Sequence, residues 1–170
     1  EPRLCSRVRF PRSKCQLCLQ GCPSGSLSWD KTLNIDTDRC TNCGICISSC
    51  LNGAFWSRRR GDEVIALDIE RSLGADKSHV ITFGCSRSSP NGDDAIILSC
   101  LSRLTENLLV APFVFGASRV EIQLPECAGC TCEKCLSHLE HVISLGRQLI
   151  VLVGKENSCI RVNKVAKHVN

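Results

Sequence analysis

The chain is 170 residues long, which is enough for one large domain or two small ones. It is 43% hydrophobic and 22% charged, a composition typical of a folded protein and not of a disordered one. The net charge of +4 is small, aromatic residues make up 4% of the chain and tyrosine is absent. These values argue against a nucleic-acid-binding protein, which usually combines a basic face with aromatic stacking residues.

No apolar run is long enough to cross a bilayer, and the first residues lack the pattern of a secretory leader. We therefore expect no membrane span. The cysteine content favours a cytoplasmic location, because thiolates that bind metal clusters need a reducing environment. The thiols matter because the chain has fifteen cysteines. Their odd number does not fit a framework of disulfides alone, so spacing must distinguish disulfides from metal ligands.

The first cysteine-rich region contains a run with the spacing C-x2-C-x2-C-x3-C, formed by Cys40, Cys43, Cys46 and Cys50. Thiolates at this spacing wrap one corner of a cubane, and the run matches the bacterial pattern for [4Fe–4S] ligation. Gly44 suits a loop whose backbone must come close to a cluster. Zinc fits less well, because a zinc ribbon usually has two separated C-x2-C pairs.

An internal repeat extends this pattern toward the start of the chain. A shift of 28 residues places Cys15, Cys18 and Cys22 on Cys43, Cys46 and Cys50. The stretch CPSGSLSWDKTLNID between the two runs predicts a turn and a short hairpin. Residues 15–56 therefore resemble a two-cluster bacterial ferredoxin.

The resemblance implies two ligand sets, because in that family the fourth cysteine of each run binds the other cluster. One set contains Cys15, Cys18, Cys50 and a fourth ligand that remains to be assigned, and we call it the first cysteine group. The second cysteine group is Cys40, Cys43, Cys46 and Cys22.

The first cysteine group departs from the family pattern at one position. Arg12 stands where the repeat places the equivalent of Cys40, and arginine cannot bind iron. The nearest spare thiol is Cys5, and we expect it to complete the first cysteine group. The alternative is a three-iron cluster with Cys5 free.

The second half of the chain shows alternating strand and helix patterns. Short apolar runs of β type occupy 79–85, 95–100 and 119–127. Leucines at helical spacing follow Cys100, with Ser102 as the predicted cap, a kink at Pro112 and an end at Gly116. A helix over Glu133–Gly146 and a last strand over Gln148–Val153 complete the prediction. Residues 64–73 fit either a connecting helix or a strand and a turn.

This pattern predicts an α+β ferredoxin-like two-cluster domain followed by a small α/β domain with a mostly parallel sheet. We place the first domain at 1–60, a connector at 61–78, the α/β domain at 79–154 and a basic tail at 155–170. The basic run Arg58–Arg60 in the boundary loop is either solvated or a contact for an acidic redox partner.

The predicted strands each lead to a cysteine: Cys85, Cys100 and Cys127. Sites in open α/β sheets lie at the carboxyl ends of the strands, so these thiols are expected to meet at one edge. The segment CAGCTCEKC, which starts at Cys127, then supplies a fourth ligand to a second metal site.

Residues 79–150 are similar to the iron–sulfur delta subunit of methyl-viologen-reducing hydrogenase, a partner of heterodisulfide reductase. The shared skeleton is a strand ending in GC, a strand ending in SCL, a helix closing with GAS before RVEI, and C-x4-C. The resemblance implies a [2Fe–2S] cluster held by Cys85, Cys100, Cys127 and Cys132. Cys130 and Cys135 are extra thiols: they are alternative ligands, a further metal site, a redox pair or residues without a role. Structural zinc fits the same thiolates.

These features predict an iron–sulfur electron-transfer subunit with two [4Fe–4S] clusters and one [2Fe–2S] cluster. We find no motif for a substrate pocket. We expect His138 and His141 on a helix surface, with a Cys–His nucleophilic pair or a mixed ligand set as the alternative. The expected partners are a hydrogenase, a dehydrogenase or a flavin-containing reductase subunit, in a hetero-oligomer of anaerobic metabolism. The alternatives are a reductase of disulfides or sulfur compounds, a redox sensor, and a ferredoxin fused to a structural zinc domain.

Overall fold

The cysteine repeat forms short helices on either side of a hairpin. The computed structural model describes residues 1–58, 60–75, 79–86, 95–128, 130 and 132–165. The elements of the first half are α1 (Ser6–Arg9), α2 (Leu17–Gly21), β1 (Leu27–Asp30), β2 (Thr32–Ile35) and α3 (Ile45–Ser48). Strands β1 and β2 pair in antiparallel fashion, which confirms the predicted hairpin.

The second half is an α/β unit with a parallel sheet. Its elements are α4 (Asp62–Ala75), β3 (Val80–Cys85), β4 (Ile96–Leu98), α5 (Glu106–Val114), β5 (Arg119–Pro125), α6 (Leu136–Leu152) and β6 (Ile160–Val165). The strand order is β4-β3-β5-β6, and every pair is parallel. The predicted mixture of helices and a parallel sheet is therefore confirmed, and residues 64–73 are helical.

The core lies between this sheet and the helices. Ile81 pairs with Val120 and Phe83 with Ile122, and all four side chains are buried. Helices α4, α5 and α6 contribute further buried side chains to the same apolar cluster. None of the helices in the described part of the chain is long and apolar enough to cross a membrane.

The predicted strand Gln148–Val153 is wrong, because helix α6 continues to Leu152. Its buried residues recur at helical spacing: Leu139, Val142, Ile143, Gly146 and Ile150. Gly146 does not end the helix. A side chain there would lie 3.2 Å from Leu109 Cβ, so glycine allows α5 and α6 to approach closely.

The fourth strand of the sheet is β6, inside the segment expected to be a basic tail. Val120 to Pro125 of β5 pair with Ile160 to Val165. Most β6 side chains after Ile160 are exposed and polar, which hid the strand in the sequence. Residues 166–170 lie outside the described part, and the division into domains stays a prediction.

The predicted cap of α5 is also wrong. Thr105 Oγ1, not Ser102, accepts a hydrogen bond from Leu108 N at 3.2 Å. Gly116 follows the end of this helix with φ +99°, as a helix-terminating glycine does.

The basic run is partly engaged within the chain. Arg60 forms an ion pair with Asp68 at 2.6 Å and also donates to the carbonyl of Ile97. Arg59 lies outside the described residues. At least one of the three arginines therefore fixes the start of α4 against the sheet.

Candidate metal centres

The first cysteine group surrounds a cavity of about 280 Å³ that Cys5, Cys15, Cys18 and Cys50 line together. Cys5 immediately precedes α1, and this short helix keeps the thiol beside the other three. Apolar side chains complete the wall, among them Trp29, Leu33 and Phe55. The structure thus places the expected replacement for Arg12 beside the residues of the matched runs.

Electrostatics in this cavity disfavour uncompensated thiolates. Burial raises the pKa of Cys18, and negative charge on Cys50, Cys15 and Cys5 raises it further. A bound cation would offset both effects, because metal coordination deprotonates thiols. Four such thiols around one cavity fit the requirements of an iron–sulfur cluster.

The second cysteine group is centred on Cys46. Burial raises the pKa of Cys46 to about 12, and the neighbouring thiolates of Cys43 and Cys40 add to the shift. Cys18 and Cys22 of the first run contribute as well. Cysteines of the two runs therefore lie close together. This proximity is needed if the fourth cysteine of each run binds the cluster of the other run. Cys22 Sγ also lies 3.3 Å from Ser26 Oγ and 3.6 Å from Ser24 Oγ.

The second half of the chain packs directly on the loop of the second cysteine group. Gly44 has φ +79°, and a side chain there would lie 2.5 Å from Arg103 Cδ. Arg103 is buried at 6% exposure and forms an ion pair with Asp62 at the start of α4. Glycine at position 44 is therefore required both for the turn and for this contact.

A second cavity, of about 270 Å³, lies at the carboxyl ends of β3, β4 and β5. We call it the C-terminal cavity, and six cysteines line it: Cys85, Cys100, Cys127, Cys130, Cys132 and Cys135. Cys85 is the last residue of β3, and Cys100 and Cys127 each follow a strand by two residues. The structure brings the four predicted ligands to this cavity together with both alternatives, and the ligand roles stay a prediction.

The six thiols have different neighbours. Burial raises the pKa of Cys127, and negative charge on Cys130, Cys100 and Cys85 adds to the shift. Cys130 N also donates to Cys127 O at 2.9 Å, which folds the segment into a turn at this point. Cys130, one of the alternative ligands, thus lies beside Cys127 on the wall of the same cavity.

Cys132 and Cys135 instead lie against the second cysteine group. The sulfurs of Cys43, Cys132 and Cys135 are all within 4.8 Å of one another, and we call these residues the shared group. Cys135 and Cys43 are buried, at 2% and 7% exposure. A hydrogen bond from the Cys135 thiol lowers the pKa of Cys43 to about 5, and the same bond together with burial raises the pKa of Cys135.

Hydroxyl groups join the two halves around these sulfurs. Ser102 Oγ lies 3.2 Å from both Cys43 O and Cys100 Sγ. Ser48 Oγ donates to Ser102 O at 2.6 Å and lies 2.8 Å from His138 Nε2. His138, expected on a helix surface, is half-buried, and burial lowers its pKa so that the neutral ring is favoured.

No motif in the sequence points to these connecting residues. Ser48, Ser102 and Arg103 are ordinary polar residues outside any ligand motif, and only the packing of the two halves brings them to the sulfurs. The sequence also assigned Cys43 and Cys132 to different centres, because spacing along the chain does not report contacts across 89 residues.

The comparisons with known proteins support the description of the first half of the chain. A family model described as a 4Fe-4S dicluster domain matches residues 12–54, which include both cysteine runs but not Cys5. No curated protein and no solved structure matches the chain. The match of residues 12–54 to a 4Fe-4S dicluster domain supports [4Fe–4S] cluster binding and an iron–sulfur electron-transfer role. The resemblance of residues 79–150 to the hydrogenase delta subunit stays a prediction.

The Arg103–Asp62 ion pair generates a prediction about how the halves are held together. Asp62→Asn should lower the free energy of unfolding by about 1–3 kcal/mol, the cost of leaving a buried group unsatisfied. Glu63→Gln removes a charge from the same helical turn and should change stability by about 0.5 kcal/mol or less. Urea unfolding of both variants, in the same metal-loaded state, measures the difference. Equal effects would show that helix electrostatics, and not the pair, sets the cost.

Proposed function

We propose that the chain is an electron-transfer subunit with three iron–sulfur centres arranged in sequence through the molecule. The observation that supports this most is that the sulfur of Cys43, in the second cysteine group, lies within 4.8 Å of the sulfur of Cys135, which immediately precedes α6. It brings the ligand loop of one half against the cavity of the other. Bound clusters would supply reversible one-electron transfer at these thiols.

The proposed ligands follow the groups already described. Cys5, Cys15, Cys18 and Cys50 hold one [4Fe–4S] cluster, and Cys22, Cys40, Cys43 and Cys46 hold the other. Cys85, Cys100 and Cys127 hold a [2Fe–2S] cluster with a fourth thiol from Cys130 or Cys132. The position of Cys130 beside Cys127 favours Cys130. Zinc is the alternative occupant of the C-terminal cavity, since it accepts the same four thiolates.

Hydrogen bonds to the sulfurs favour the more negative, reduced state of such centres. Ser102 Oγ donates to Cys100 Sγ, and Ala54 N donates to Cys50 Sγ at 3.3 Å. Burial acts in the opposite direction, because it disfavours added negative charge. Cys15 is exposed and Cys43 is buried, so the two proposed cubanes differ in how strongly their surroundings favour the reduced state.

The segment next to the first cysteine group is basic and exposed. Residues 1–14 contain five arginine or lysine side chains and one acidic side chain. Arg9 and Arg12 are exposed and lie between Cys5 and Cys15, which both line the first cavity. Phe10 is 58% exposed beside them. Basic side chains around an exposed apolar residue suit the docking of an acidic redox protein. We propose that such a partner docks beside the first cysteine group.

The first prediction of the proposed function concerns Cys5. Cys5→Ala should remove one ligand from the first cysteine group and convert one four-iron cluster to a three-iron cluster. Iron analysis should show the loss of about one iron in eight per chain, from the two cubanes. Electron paramagnetic resonance of the oxidised variant should show a three-iron signal. Cys159→Ala, outside all three groups, is the control, and an unchanged Cys5 variant would remove Cys5 from the ligand set.

The second prediction tests the third centre and with it the proposed function. Cys85→Ala should abolish the centre in the C-terminal cavity and leave the signals of both cubanes intact. Anaerobic protein is analysed for iron, zinc and sulfide, and its reduced form by electron paramagnetic resonance. About ten irons per chain in the wild type, and about eight in the variant, are expected for two cubanes and one [2Fe–2S] cluster. Zinc lost in place of iron would instead support a ferredoxin joined to a structural zinc domain.

The third prediction concerns the basic end. Arg9→Glu and Arg12→Glu should each slow reduction of a flavodoxin with an acidic surface by about tenfold at low ionic strength. High salt should remove the difference, because it screens exposed charges. Lys155→Glu makes the same change of charge elsewhere on the surface and should have a smaller effect. Equal slowing in all three variants would mean that net charge alone acts and that this end is not the docking site.

A further inference from the structure

Three thiols from two distant parts of the chain meet in the shared group. Cys43 comes from the loop before α3, whereas Cys132 and Cys135 come from the turn before α6. Their sulfurs lie within 4.8 Å of one another, and two of the three residues are buried. Cys100 packs against the same group. Within the proposed function, Cys43 alone of these three has the role of a cubane ligand.

The local structure of the second half fits metal binding better than plain packing. Cys135 N donates to Cys132 O at 2.9 Å, so the C-x2-C pair forms the tight turn that commonly presents two thiolates to one ion. Thr41 Oγ1, 3.9 Å from Cys132 Sγ, adds a polar neighbour on the side of the first half.

The distances are close to those of a tetrahedral site. Metal–sulfur bonds of about 2.3 Å place two tetrahedral thiolates about 3.8 Å apart. Sulfurs within 4.8 Å thus need to move by about 1 Å or less.

We propose that Cys43, Cys132 and Cys135 bind one thiophilic metal ion, iron or zinc, and that the Cys43 thiolate is shared between this ion and the second [4Fe–4S] cluster. A thiolate sulfur has enough lone pairs to bond two metals, so Cys43 need not leave the cluster. Binding releases the thiol protons, so it consumes no oxidant or reductant. The proposal rests on the proposed function for the cubane but not for the third centre.

The assignment also accounts for all six thiols of the C-terminal cavity. Cys132 and Cys135 bind the shared ion. The remaining thiols are available to the third centre: Cys85, Cys100, Cys127 and Cys130. A tetrahedral ion with three protein thiolates keeps one further position, which is the feature that separates a reactive metal site from a closed structural one. The shared ion would therefore stand between the second cubane and the third centre.

The experiment uses the full chain, purified or reconstituted anaerobically and supplied with iron or with zinc. Crystals are measured at the iron and zinc absorption edges, and anomalous maps locate each metal. The expected result is a separate peak at about 2.3 Å from the sulfurs of all three shared-group residues. Cys135→Ala should lose one metal per chain and keep the signals of both cubanes, while Cys159→Ala should lose none.

Two results would overturn the inference. One is a wild-type map in which Cys43 Sγ bonds only to the cubane and no peak lies near Cys135. The other is a Cys135→Ala variant with full metal content, which would make Cys135 a hydrogen-bond donor to Cys43. If Cys135→Ala fails to fold, the wild-type maps still decide. Wild-type protein without cubanes would instead refute the proposed function, so the two failures are distinguishable.

Discussion

The structure depends on the cost of burying several thiols side by side. Each thiolate resists removal from water, and each raises the pKa of the next, as the value of about 12 for Cys46 illustrates. Fifteen cysteines in 170 residues would be a liability if most were buried without compensation. Positive metal centres remove this cost, so metal binding and folding are coupled in such a chain.

That constraint explains how the two halves meet. The loop of the second cysteine group lies on Arg103 at Gly44, and Ser48 bonds both to Ser102 O and to His138. These contacts are polar and specific, whereas the apolar core of the second half lies within that half. The interface therefore fixes the relative position of the sulfurs more than it adds hydrophobic stability.

Local spacing was sufficient to predict the ligand runs, because Cys40 to Cys50 lie within one loop and one short helix. It was also sufficient for the parallel sheet, since β3, β4 and β5 are compact apolar runs. It failed where partners are distant in the sequence. The apolar run LIVLV predicts a strand, but it belongs to α6, whose buried residues recur at helical spacing. Strand β6 gives no such signal, because only Ile160 among its residues is fully buried. The contact of Cys43 with Cys135 depends on the docking of both halves, which no motif encodes.

The hydrogen bond between Ser48 and His138 spans 90 residues of sequence. Contacts of such long range form late in folding, because closing a long loop costs more entropy than forming local turns. The runs of the first half are local and can fold around their metals before the second half arrives. Maturation of this protein would then have an order: the N-terminal clusters first, and the sulfurs of Cys132 and Cys135 last, docking onto a centre that is already assembled.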